Sequence, residues 1–142
     1  MSDFDIPLSV PHLGGNEWKY VKKCLDTNWV SSAGEFVDRF EQMVADYAGA
    51  DYAVATVNGT AALHISLLVA GVEADEEVIV PALTFVAPAN AVRYVDAWPT
   101  FMDADKYYQI DVEKTVDFLE NECKWKDGNL INPYTGRSIG AI

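Results

Sequence analysis

The sequence predicts an α/β fold: a largely parallel sheet with helices on both faces. Three observations carry this expectation. Short apolar, strand-like runs recur at residues 51–57, 77–81 and 98–102, and a fourth begins at 139–142. Stretches with apolar residues at spacings of three and four, the period of a helix face, lie between them. Turns rich in small or polar residues stand where the strands end. Short apolar strands alternating with crossover helices give parallel pairing, and ligands in such sheets sit beyond the carboxyl ends of the strands. Those ends are Asn58-Gly59-Thr60, Leu83-Thr84-Phe85 and Asp103-Ala104-Asp105.

Residues 1–15 read as an arm, because Ile6 to Gly15 carry two prolines and two glycines without periodicity. A helix starts at about Asn16, with Trp18, Val21, Cys24 and Leu25 on one face, and Thr27-Asn28 ends it. The loop 29–34 follows. Glu35 opens a second helix with a stripe of Phe36, Phe40, Met43, Val44 and Tyr47, stopped at Gly49. Residues 51–57 read as a strand. The Asn58-Gly59 that follows is also the favoured two-residue hairpin turn. Leu63, Leu67 and Leu68, with Ala62 and Ile65 beside them, recur at helical spacing, and Gly71 stands where a helix would stop, so a helix is expected instead.

Glu77–Pro81 contains an apolar run of the kind buried on both faces of a sheet. Thr84 is the expected cap of a helix over Phe85–Val95, with Pro88 tolerated in its first turn. Trp98–Met102 reads as a strand, about Val112 to Asn121 as a helix, Lys124–Ser138 as a polar stretch, and Ile139–Ile142 as the start of another strand.

Composition narrows the function classes. The 142 residues, 50% hydrophobic and 23% charged, suffice for one ordinary core and are too few for two comfortable domains. No apolar run approaches a bilayer-spanning length, and Met1 to Asp5 lack a signal peptide's basic region and apolar block, so a cytoplasmic location is expected. A net charge of −12 opposes binding to nucleic acid or an anionic membrane. Cys24 and Cys123 lie far apart, with only His12 and His64 to help them, so neither a disulfide framework nor a metal site is indicated.

The strongest candidate for chemistry is Asn58-Gly59-Thr60. The first turn of a helix has unpaired N–H groups and the positive end of its dipole, and glycine lets a phosphate approach the backbone. Thr60 can add a hydroxyl donor.

The ordered set formed by residues 57–64, 77–87 with 89–91, and 101–105, preceded by 28–32 and Phe40-Glu41, resembles the DegT/DnrJ/EryC1/StrS family. Its members are aminotransferases that depend on pyridoxal 5'-phosphate (PLP) and act on nucleotide-linked keto sugars. The insert from Cys123 to Arg137 further resembles the branch that makes bacillosamine or legionaminic-acid precursors. The resemblance implies the three-layer, mostly parallel sheet of a fold-type I transferase large domain, of which residues 16–142 would be the first part.

By the same resemblance Gly59 and Thr60 hold the cofactor phosphate, with Asn58 beside them, and Phe85 stacks on the pyridine ring. Phe85 read alone would pass for a core phenylalanine. Asn90 would fix backbone near the site, and Asp103 and Asp105 would close a turn rather than act as paired acid and base. His64 reads as a packing residue, and Ser31 and Ser32 as residues able to approach the site or a neighbouring subunit. No catalytic residue is expected in this chain. The lysine that holds the cofactor covalently and the carboxylate opposite the pyridine nitrogen lie further on in the family, as does its small carboxyl-terminal domain. The implied function is transfer of an amino group, typically from glutamate, to a nucleotide-linked keto sugar in polysaccharide biosynthesis, by a homodimer with shared sites. The alternative is a non-catalytic α/β module that binds a phosphorylated ligand or a partner through the Gly59-Thr60 turn, or an inactive fragment.

Overall fold

The computed structural model describes residues 9–142, which fall into two compact units divided between Ala55 and Thr56. Part of the amino-terminal arm lies outside the described residues. From Ser9 to Pro11 onward to Gly14 no helix or strand forms.

The described residues of the first unit hold two helices. α1, Glu17–Asp26, follows Asn16, and the Thr27 hydroxyl closes its end by donating to the Lys23 carbonyl at 2.7 Å. α2, Glu35–Ala48, ends on Gly49, whose φ of 67° is the left-handed conformation that glycine adopts without a Cβ penalty. The helices meet through Tyr20 and Phe36, ring centroids 5.1 Å apart. The strand expected over residues 51–57 does not form. Its residues suit a pleated surface, but a strand needs a neighbour for its N–H and C=O groups. The sheet is built from other segments, and Tyr52, Val54 and Val57 are exposed. One backbone group of the stretch finds a side chain instead: Ala55 N–H donates to the Glu41 carboxylate at 2.7 Å.

The second unit begins with α3, Gly59–Val69, and continues with β1, Glu77–Pro81, α4, Val86–Tyr94, and β2, Trp98–Met102. Then come α5, Val112–Asp117, β3, Lys124–Lys126, β4, Asn129–Ile131, and β5, Ile139–Ala141. The main sheet has the order β2-β1-β5, parallel throughout, with Val80 beside Phe101 and Glu77 beside Ile139. β1 is central and buried, which is why its sequence is a continuous apolar run after Glu77. Val72, Val78, Val80, Val92, Val95 and Ala97 form one core cluster, with Leu67 and Ala141 packed against it.

Three local expectations need correction. Phe85, not Thr84, holds the cap position of α4, and no side chain bonds the first turn. The helix expected to about Asn121 is α helical only to Asp117. Phe118–Glu122 is a π-helical turn closed by Cys123 N–H on the Phe118 carbonyl at 2.9 Å, which carries Cys123 into the interior. The polar stretch 124–138 contains the β3–β4 hairpin. Its turn residues Asp127 and Gly128 have φ of 51° and 88°, the pair of positive angles that an Asp-Gly hairpin turn requires.

The segment following the hairpin is tied to the sheet by a buried polar contact. Asn132 Nδ2 donates to Glu77 Oε2 at 2.7 Å, and both residues are buried. Removing the amide leaves a buried carboxylate short of its donor. Asn132→Ala should therefore lower stability by about 1.5–3 kcal/mol, read as a lower urea midpoint with an unchanged slope. Nearby, burial together with the negative charges of Glu122 and Glu77 raises the pKa of the Cys123 thiol. Cys123 is thus a protonated packing residue at neutral pH rather than a nucleophile.

Candidate functional site: the mouth of α3

Asn58 stands at the cap of α3 with extended backbone, φ −164° and ψ 170°. Its Oδ1 accepts the Ala61 N–H at 2.9 Å, and its carbonyl accepts the Ala62 N–H at 3.1 Å. The Ala62 bond is the first of the helix ladder, so capping uses one orphan donor of the first turn, that of Ala61, and leaves those of Gly59 and Thr60 open. A Cβ built on Gly59 would meet nothing within 4 Å, and Gly59 is not among the residues with positive φ. Neither packing nor backbone conformation demands a glycine there. The open space leaves room for a ligand to come close to the N–H groups. The donors, the helix dipole and the open space fit the phosphate of PLP.

Phe85 lies just past the carboxyl end of β1 and is 87% exposed, so the reading of a core phenylalanine fails. Leu83 and Val86 beside it are exposed too. Leu63, four residues beyond Gly59, and Pro88, three beyond Phe85, line one apolar groove together with Pro81. The first turns of α3 and α4 therefore belong to the same end of β1. This brings Asn58, Gly59, Thr60 and Phe85 to one end of the unit, the end where ligands collect in parallel sheets.

The remaining candidates take supporting places. The His64 ring packs edge-on against Tyr94 from α4, with centroids 5.8 Å apart. Asn90 is half-buried on α4. Asp105 Oδ1 accepts the N–H groups of Tyr107 and Gln109 at 2.8 and 3.0 Å, which organises the turn after β2. Asp103 pairs with the Lys114 ammonium at 2.6 Å, and this hydrogen bond and charge lower the Asp103 pKa while raising that of Lys114. Lys114 thus stays protonated at neutral pH and is no nucleophile. Ser31 and Ser32 are exposed in the α1–α2 loop of the first unit.

Reading the sequence missed a cluster at the opposite, amino end of the strands. Trp98 lies under two guanidinium groups, Arg93 at 4.2 Å and Arg137 at 4.6 Å from its ring centroid, and its Nε1–H donates to Asp75 at 3.1 Å. No spacing in the sequence signals it, because its members come from four segments. It braces the end of the sheet away from the α3 mouth. Among the described residues no group of three or more His, Cys, Asp or Glu side chains is placed to hold a metal ion. No helix among them is long and apolar enough to cross a membrane.

Known proteins resemble this chain in sequence and in fold. The chain is 46% identical over 126 residues to a GDP-perosamine synthase of Caulobacter vibrioides, covering 87% of this chain and 34% of that protein. It is 41% identical over 120 residues to the GDP-perosamine synthase of Escherichia coli O157:H7, covering 84% and 33%. The chain thus spans about a third of the length of these curated relatives. Among solved structures, an aminotransferase from Psychrobacter cryohalolentis superposes with a TM-score of 0.61 at 35% identity, over 70% of this chain and 26% of that one. A protein of Streptococcus pneumoniae assigned as a sugar aminotransferase, solved in its PLP form, gives 0.69 at 29% identity, over 78% and 28%. The sheet, its parallel order and its helices are those of the fold-type I large domain. The sequence profile of the DegT/DnrJ/EryC1/StrS aminotransferase family matches residues 11–124, and the chain belongs to that family.

Proposed function

We propose that this chain supplies the phosphate-binding and ring-stacking side of a PLP-dependent aminotransferase that moves an amino group, typically from glutamate, onto a nucleotide-linked keto sugar. The observation that carries the reading is the pair of open donors at Gly59 and Thr60 at the mouth of α3, in a chain of this family. PLP supplies an electron sink for the carbon bearing the amino group. The chain's own part is to hold and orient it. Gly59 and Thr60 N–H and the Thr60 hydroxyl bind the phosphate, Asn58 keeps the turn in place through its bond to Ala61, and Phe85 covers a face of the ring and keeps water from it.

The acceptor is a keto sugar on a nucleotide carrier, a reading supported by the GDP-perosamine synthases among the relatives. The enzyme works in the cytoplasm as a homodimer, as the family resemblance suggests. Incubating the full-length protein with PLP, glutamate and a panel of GDP- and UDP-linked keto sugars tests the assignment. An aminated sugar nucleotide formed with equimolar 2-oxoglutarate is the expected product. Saturable PLP binding without amino transfer to any sugar would leave a binding module instead. Phe85→Ala removes the stacking surface and should weaken PLP binding by about 0.5–1.5 kcal/mol, roughly 2- to 13-fold, measured by absorbance titration.

A further inference from the structure

We propose that Asn58-Gly59 is a deamidation site whose reaction converts the mouth of α3 from a phosphate cradle into one that repels phosphate, and that bound cofactor protects it. Of all the asparagines in the sequence, only Asn58 precedes a glycine. Both residues are exposed, and nothing lies within 4 Å of where a Gly59 Cβ would be, so no neighbouring group crowds the Asn58-Gly59 linkage from that side. In the reaction that nitrogen attacks Asn58 Cγ, the bond from Cγ to Nδ2 breaks, and ammonia leaves with the proton that the peptide nitrogen gives up. Water then opens the five-membered imide at either carbonyl, giving an aspartyl or isoaspartyl residue. One water is consumed, one ammonia is released, and no oxidant is involved.

The structure also supplies the brake. Asn58 Oδ1 is held by the Ala61 N–H, and the extended backbone, with ψ 170°, keeps the Gly59 nitrogen away from Cγ. The first turn of α3 must fray before the ring can close, and helix ends are where local opening costs least. A phosphate bound to the Gly59 and Thr60 N–H groups would oppose that fraying, a clause that rests on the function proposed above. After reaction an aspartyl side chain still caps the helix. Its negative charge then stands beside the phosphate, and the isoaspartyl form displaces Gly59 by an extra backbone carbon.

The test is to hold the full-length protein, freed of cofactor, at mildly alkaline pH and follow isoaspartyl methyltransferase labelling with peptide mass mapping. Label should accumulate first in the peptide containing Asn58, and Gly59→Ala, whose Cβ has room, should slow it. With PLP at about a hundred times its Kd, the frayed population and the labelling rate should fall about a hundredfold. Labelling at Asn58 no faster than at the other asparagines overturns the proposal. Labelling at Asn58 that PLP does not slow keeps the modification and removes the phosphate reading.

Discussion

Thr60→Ala should weaken PLP binding to the full-length enzyme by about 10- to 150-fold, because a hydrogen bond to a charged group contributes about 1.5–3 kcal/mol. Thr60 is the second residue of α3, half-buried. Its hydroxyl is a side-chain donor that capping does not use, since the cap bond runs from the Ala61 N–H to Asn58 Oδ1. The substitution keeps helix propensity, alanine being the better helix former, so a folded protein is expected. Fluorescence titration with PLP and with pyridoxal separates the phosphate from the ring: the loss should appear with the first ligand and be nearly absent with the second. Unchanged PLP affinity in a folded variant would mean that the phosphate lies elsewhere.

Ile79→Ala should cost about 2–5 kcal/mol of folding stability, the range for large-to-small changes in a packed core. Ile79 is 2% exposed at the middle of β1, the strand with a partner on each side. Its neighbours Val78 and Val80 point to the opposite face, where the core cluster lies, so they cannot fill the space it leaves. Equilibrium unfolding in urea measures the loss, and an effect below about 1 kcal/mol would place Ile79 outside a close-packed face.

β1 shows what is legible in a sequence. A short continuous apolar run bounded by Glu77 and Pro81 is of the kind found in a strand buried on both faces of a parallel sheet, and the observed strand has those bounds. α2 was equally plain, since Gly49 in its left-handed cap ends it where the apolar stripe ends. The failures have separate physical causes. Residues 51–57 have the composition of a strand, but pairing is a property of the neighbours rather than of the segment. The β3–β4 hairpin was hidden because its strands, Lys-Trp-Lys and Asn-Leu-Ile, are too short to alternate visibly; its one signal was Asp127-Gly128. The π turn at Phe118–Glu122 has no sequence signature, because it differs from an α turn only in which carbonyl the Cys123 N–H selects.

The candidate site divides in the same way. Gly59 and Thr60 were legible as an open helix mouth from turn chemistry, whereas Phe85 was legible only through the family resemblance, since a lone phenylalanine ordinarily packs inside. Its exposure past the end of β1 is what gives the role a physical basis. Asp103, the acidic residue most easily mistaken for a catalyst, is occupied by Lys114, a partner eleven residues away that no local pattern connects to it.

The most direct measurement is a structure of the full-length protein crystallised with PLP. The phosphate should accept hydrogen bonds from the Gly59 and Thr60 N–H groups and the Thr60 hydroxyl, with Asn58 Oδ1 still on Ala61 and the Phe85 ring against the pyridine. A phosphate held by other residues, with the α3 mouth open to solvent and Phe85 away from the ring, would contradict the proposed role of this chain.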